Sequence, residues 1–224
     1  MRYYIADLHF YHENLNTRMD MRGFSSADEM NRHMIQKWNS KVRKNDEVVI
    51  LGDFSMGKGK ETNEIINQLN GTLYLVEGNH DRYLNDSEFN KERFVWIKPY
   101  AQMKDNNRKV ILSHYPIFCY NGQYRYNKAG QPYVYMLYGH VHNSYDEVLV
   151  NHFQEITRKT KREILGRKEC VNIPCNMINC FCMFSDYEPL TLDEWIVLDE
   201  KRRKDISLQV YNYELGEECD EHLI

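Results

Sequence analysis

Apolar residues fall in short runs, and each run stops at a polar residue able to act as a ligand. Residues 3–6 precede Asp7, 48–51 precede Gly52-Asp53, 73–76 precede Gly78-Asn79-His80, 110–112 precede His114, and 136–138 precede Gly139-His140. Short stretches of β-formers bounded by turn residues are buried-strand material. Between them, residues 27–41 set Met30, Met34, Ile35 and Trp38 at helical spacing, and residues 61–69 do the same with Ile65, Ile66 and Leu69. Strands alternating with helices predict an α/β core that presents side chains at strand ends.

Beyond His142 the pattern changes. Residues 144–165 predict a long polar helix with Leu149, Phe153 and Ile156 on its apolar face, Asn143 or Ser144 as N-cap and Gly166 as terminator. Residues 191–197 read as helix, 208–213 alternate like a strand, and 214–224 read as an acidic, frayed tail. No internal repeat or low-complexity linker interrupts the chain.

At 224 residues the chain predicts one domain, 1–224. With 29 basic against 33 acidic residues and a net charge of −4, it has no protein-wide field for nucleic acid. No apolar run reaches the ~18 residues of a membrane span. Only residues 3–6 separate Arg2 from Asp7, too few for a secretory signal, so the expected location is cytoplasmic. The six cysteines are then expected to be reduced, buried thiols; Cys170, Cys175, Cys180 and Cys182 lack the paired spacing of a zinc ribbon.

Asp7, His9, Asp53, Asn79, His114, His140 and His142 are too many donors for one first-row metal. Two ions use them well: Asp7, His9 and His142 on one, Asn79, His114 and His140 on the other, with Asp53 bridging. Imidazole with carboxylate and amide oxygen suits manganese, iron, zinc or nickel better than an all-oxygen cage. Ions ~3.5–4 Å apart would hold a bridging hydroxide as nucleophile and clamp phosphoryl oxygens.

Asp7-Leu8-His9, Gly52-Asp53, Gly78-Asn79-His80-Asp81, His114 and Gly139-His140-Val141-His142 together resemble the calcineurin-like metallophosphoesterase superfamily, with its D-x-H, G-D, G-N-H-[DE], H and G-H-x-H elements. The resemblance spans about residues 1–196, leaving 197–224 as a C-terminal extension. The run from Asp7 to Asn14, Ser113-His114-Tyr115-Pro116, and Tyr187-Glu188-Pro189 with Leu192-Asp193-Glu194 look similar to small bacterial and phage phosphohydrolases of this group. The resemblance implies a four-layer αββα sandwich of two mixed β-sheets with metals at one edge. It further implies that His80 is the general acid, with Asp81 orienting its ring and raising its basicity. The complete ligand set argues for a phosphatase or phosphodiesterase over a non-catalytic binding module.

At the rim, Tyr11 stands where close relatives carry glycine and either narrows the mouth, stacks on substrate or simply packs. His12, Arg82 and Tyr115 are candidate substrate contacts, with an exposed histidine and a surface ion pair as the plainer readings of the first two. Residues 52–59 nearly spell a P-loop, but Gly59 replaces the magnesium-binding hydroxyl and Asp53 would face the phosphates, so that motif is set aside. In 120–135 the Asn127-Lys128-Ala129-Gly130-Gln131 centre predicts a turn between two aromatic arms, as a hairpin or lid whose tyrosines pack or stack on bases. Arg158, Lys159, Lys161, Arg162, Arg167 and Lys168 form a basic cluster, read as a solvated helix face or a nucleic-acid contact. The expected substrate is a small phosphoester, nucleotide-like by preference; a nuclease is the alternative, and no membrane partner is expected.

Overall fold

The computed structural model describes residues 1–163 and 169–214, with side chains through 203. In chain order the elements are β1 (Arg2–Ile5), α1 (Ala27–Lys41), β2 (Glu47–Ile50), α2 (Gly59–Ile66), β3 (Thr72–Val76), β4 (Phe94–Lys98), β5 (Tyr100–Asp105), β6 (Arg108–Ser113), β7 (Val134–Tyr138), α3 (Tyr145–Lys159), β8 (Lys161–Glu163), β9 (Cys170–Asn172), β10 (Met177–Asn179), β11 (Leu190–Thr191) and α4 (Leu192–Glu214). One sheet has the order β11-β1-β2-β3-β4, the second β10-β7-β6-β5, and β8 pairs with β9 apart from both. Each large sheet is mixed: β11 joins β1 antiparallel and β5 joins β6 antiparallel, while the remaining pairs are parallel.

Strand periodicity sorts side chains between layers. Tyr3, Ile5, Val48, Ile50, Leu73 and Leu75 face Met30, Met34 and Trp38 of α1 and Ile65 and Ile66 of α2. Their neighbours Tyr4, Val49, Leu51 and Val76 face the second sheet's Val110, Leu112, Leu137 and Ile178. Ile111, Met136, Tyr138 and Met177 emerge on the far side against Val150 of α3. The order helix, sheet, sheet, helix is the expected αββα sandwich. Trp195 of α4 is fully buried at the seam between the sheets, its indole N–H donating to the Tyr4 carbonyl at 2.9 Å. Among the described residues, no helix is long and apolar enough to cross a membrane.

Four expectations need correction. In α3 two of the three residues of the expected apolar face point outward, Leu149 51% and Ile156 53% exposed, while Phe153 is partly buried against the core; Glu147, Val150, Asn151 and Gln154 make up the buried face. Most of the buried polar groups have partners: Glu147 accepts from Tyr138 Oη and Asn179 Nδ2 and pairs with Arg202, Gln154 accepts from the Met177 amide, and Asn151 accepts from Arg203, although Asn151 Nδ2 has no partner. The helix also stops at Lys159 rather than 165, because Lys161–Glu163 pairs antiparallel with Cys170–Asn172; Gly166 lies outside the described residues. The alternating stretch 208–213 is helical, since α4 runs unbroken by glycine or proline from Leu192 to Glu214 and crosses the expected boundary at 196. The 120–135 segment has its turn, with the Asn127 amide donating to Gln131 O, but its arms meet only at Tyr126 and Pro132. Tyr120 of that segment is buried and Tyr124 and Tyr126 are exposed, so packing claims part of the set.

The described cysteines, 119, 170, 175, 180 and 182, are free; the last three are buried, whereas Cys119 and Cys170 are exposed. Arg158 leaves the basic cluster for the interior, donating to Cys175 O at 2.7 Å, and Arg162 lies 4.7 Å from the Tyr124 ring centroid. Arg167 and Lys168 lie outside the described residues.

Candidate metal centre

The polar residues that end the apolar runs meet at one edge of the sandwich. Asp7 and His9 follow β1, Asp53 follows β2, Asn79 and His80 follow β3, His114 follows β6, and His140 and His142 follow β7. All five are parallel-strand ends of the same sense, where open α/β sheets place their ligands. Asp7, His9, Asp53, His140 and His142 have left-handed backbone, with φ of 56°, 50°, 51°, 72° and 50°. Such conformations are costly for residues with a Cβ and persist where surrounding structure fixes them. Gly52 (φ +88°) is needed for space as well: a Cβ there would stand 2.4 Å from His114 Nδ1. At Gly139 a Cβ would stand 2.6 Å from Asp7 Oδ2.

Two groups of donors can each hold an ion: Asp7 with His9 and His142, and Asp7 with Asp53 and His114, each within 4.8 Å and fully buried. His9 Nε2 and His142 Nε2 face one another at 3.2 Å. Asp53 Oδ2 lies 3.5 Å from His9 Nε2 and 3.4 Å from His114 Nε2, between the two groups. Asn79 Oδ1 is 2.9 Å from His114 Nε2 and 3.0 Å from His140 Nδ1. The structure thus brings all seven expected donors together, and Asp7, as well as the expected Asp53, stands between the sets. Two imidazole nitrogens converging on buried carboxylates form a donor set that fits divalent transition ions.

Hydrogen bonds fix the ring orientations. His114 Nδ1 lies 2.9 Å from the Leu51 carbonyl and donates to it, which turns Nε2 toward Asp53. His142 Nδ1 is 2.7 Å from Asp20 Oδ1. Asp7 accepts from the His140 amide at 2.9 Å. Burial works against the His114 imidazolium, but Asp53 and Asp7 beside it raise its pKa to about 9. Burial would raise Asp53, yet the His114 and His9 rings and the His80 amide hold it down to about 2. Burial drives His9 well below the usual imidazole range.

The rim residues divide. His80 is half-buried, its amide donating to Asp53 Oδ1 at 2.7 Å and its ring centroid 5.4 Å from that of His9. The expected Asp81–His80 contact does not form. Asp81 is buried and accepts from three backbone amides, Gly78 at 2.8 Å, Asp53 at 3.0 Å and Phe54 at 2.7 Å, while His80 Nδ1 has no partner. These amides lie on the turns that carry Asp53 and Asn79, so the carboxylate braces loops rather than a ring. Tyr11 packs against the Gly57 loop and donates from its hydroxyl to Glu61 O at 3.2 Å, which favours packing. The His12 ring stands 5.4 Å from His9, Tyr115 is exposed with its ring 4.4 Å from His140, and Arg82 is exposed.

Residues 3–155 match the profile of the calcineurin-like phosphoesterase superfamily domain. The chain belongs to that superfamily. Among its relatives is an uncharacterized protein of Methanocaldococcus jannaschii, 31% identical over 201 residues, covering 89% of this chain and 91% of the relative. A crystal structure of a protein of unknown function from Aquifex aeolicus shares the fold with a TM-score of 0.59, 23% identity, and coverage of 87% of this chain and 96% of that one. Members of the calcineurin-like superfamily typically bind divalent metals, and the Asp and His clusters here are fitted to that.

The sequence pattern carries no signal for Asp20 and Arg22 and marks Cys182 only as a buried thiol. Cys182 Sγ lies 3.2 Å from the Asp7 carbonyl, and Arg22 donates to the carbonyls of Leu8 at 2.7 Å and Asp7 at 2.9 Å. Arg22 and Asp20 sit in a stretch without periodicity, and contacts to backbone carbonyls leave no trace in side-chain pattern.

Proposed function

We propose that this protein is a two-metal phosphoester hydrolase acting on a small, nucleotide-like phosphomonoester or diester, with manganese as the favoured ion and the cytoplasm as its setting. The observation that carries the reading is the convergence of His9, His142 and His114 on the buried carboxylates of Asp7 and Asp53, with Asn79 and His140 beside His114. Asp7, His9 and His142 would hold one ion and Asn79, His114 and His140 the other, with Asp53 shared. Ions held there supply Lewis-acid activation of water and a clamp on the phosphoryl oxygens.

The chain's own residues supply the rest. His80, anchored through its amide to Asp53, presents its ring beside the donor set and protonates the departing alkoxide oxygen. His12, Tyr115 and Arg82 line the approach and contact the phosphate or the group attached to it. Tyr11 shapes the wall. The interior position of Arg158 and the seating of Arg162 on Tyr124 support a small substrate over a nucleic acid. The buried free thiols of Cys175, Cys180 and Cys182 support a reducing compartment.

The test is a Mn²⁺-dependent hydrolysis screen over generic monoesters, generic diesters, cyclic nucleotides and single-stranded RNA, with His80→Ala alongside. Wild-type protein should cleave small esters, and H80A should retain metal while losing most turnover. Cleavage of RNA alone would establish the nuclease reading instead. Wild-type protein that holds metal and cleaves nothing would leave a binding module.

A further inference from the structure

We propose that Asp20 and Arg22 form a buried positioning unit for one of the two metal sets, that of Asp7, His9 and His142, acting through the His142 ring that the other set does not share, so that the two sites differ in what holds them. The proposal rests on the two-metal reading above. The Asp20 carboxylate is divided between two tasks. Its Oδ1 lies 2.7 Å from His142 Nδ1, and its Oδ2 accepts from Arg22 Nε at 3.0 Å and Nη2 at 2.9 Å. The guanidinium reaches onward, donating from Nη1 to Leu8 O at 2.7 Å and from Nη2 to Asp7 O at 2.9 Å. Both side chains are sealed from solvent, 2% exposed for Asp20 and 0% for Arg22, with Met30, Met34 and the rings of Phe181 and Tyr187 around the guanidinium.

Each contact answers a specific need of that set. A carboxylate on Nδ1 keeps the proton there, so Nε2 of His142 offers its lone pair toward His9 Nε2, 3.2 Å away. The carbonyls of Asp7 and Leu8 belong to a stretch where Asp7 and His9 are left-handed, at φ of 56° and 50°, and a buried carbonyl there needs a donor. Arg22 supplies both donors from one planar fork while neutralising Asp20, a geometry that lysine lacks. One ion pair therefore sets the ring of His142 and the course of the backbone that carries Asp7 and His9.

The other set is supported differently. Asp7 is common to both sets, but His114 is oriented by the Leu51 carbonyl at 2.9 Å and Asn79 Oδ1 faces His114 and His140, and none of these three hydrogen-bonds to Asp20 or Arg22. Perturbing the Asp20 end of the ion pair should therefore split the two affinities. Loss of such an outer partner typically weakens metal binding 10- to 100-fold.

The experiment is a Mn²⁺ titration of the full chain, wild type, Asp20→Asn and Arg22→Lys, followed by calorimetry and by electron paramagnetic resonance, which separates coupled pairs from single ions. Wild type should fill two sites. D20N should fill one at wild-type affinity and the second about 10- to 100-fold more weakly, giving a single-ion spectrum at intermediate Mn²⁺. R22K should weaken both sites, because it also loosens the Asp7 backbone that the sets share, and wild-type affinities in a folded R22K overturn the role of Arg22; D20N, which is isosteric and leaves Arg22 in place, tests the split. Two wild-type affinities in D20N, or equal weakening of both, overturn the proposal alone. Wild-type protein that takes up no Mn²⁺ overturns the two-metal reading and this proposal with it.

Discussion

Replacing Asp81 by asparagine should cost stability before it costs chemistry. Oδ2 of Asp81 accepts from the Gly78 and Asp53 amides and Oδ1 from the Phe54 amide, in a site only 4% exposed. An asparagine of the same shape can keep its oxygen on the first pair, but its NH₂ then faces the Phe54 N–H. One charge-assisted hydrogen bond is lost and one buried N–H is left unmet, together about 3 kcal/mol. For a chain of this size, at about 2–4 °C per kcal/mol, the melting temperature should fall by about 6–12 °C. Thermal and urea unfolding of D81N beside wild type measure this directly, and an unchanged urea slope would show that the comparison is one of stability. If D81N melted with wild type and only the acid limb of the pH–rate profile moved, the loop-bracing role would be wrong and a His80–Asp81 couple would be restored.

Metal uptake should release protons. His114 in the metal-free protein stays protonated up to about pH 9, and a metal takes the Nε2 lone pair that the proton occupies. Affinity should thus fall about tenfold per pH unit for each displaced proton as pH drops below 9, and calorimetry in buffers of different ionisation enthalpy should count at least one proton released per protein; none released would contradict the assignment. On α3, Val150→Ala should destabilise by about 2 kcal/mol, because Val150 is 4% exposed in the core, whereas Leu149→Ala should change stability by no more than about 0.5 kcal/mol. Equal losses in urea unfolding would mean that the helix is turned as its apolar pattern suggests.

What could be seen in the sequence was whatever local pattern determines. Strands β1, β2, β3, β6 and β7 are apolar runs buried on both faces, and their ends carry the seven donors in order, so an α/β core and the donor set were legible from pattern, while the αββα layering followed from the family resemblance that those donors carry. The inner face of α3 was not, because Glu147, Asn151 and Gln154 are buried by virtue of partners on β7, β10 and α4, distant in sequence. Asp81 was misread for a related reason: adjacency in the chain suggested its neighbour's ring, while the fold brings it amides from residues 53 and 54. Edge strands β4 and β5 carry exposed residues such as Val95 and Tyr100 that blur their pattern. The helical course of 208–213 is set by continuity with α4 rather than by its own alternation.

The left-handed residues at the centre have a consequence for how this molecule can be changed. Asp7, His9, Tyr11, Asp53, His140 and His142 each hold a backbone conformation that costs a residue with a Cβ about 1 kcal/mol or more. Their sum is comparable to the whole net stability of an ordinary domain. Selection for heat resistance alone would drive these positions toward glycine and erase the donors, all but Tyr11 being among the seven. A hardier version must therefore gain its stability elsewhere, in the three apolar layers, and leave this strained rim as it is.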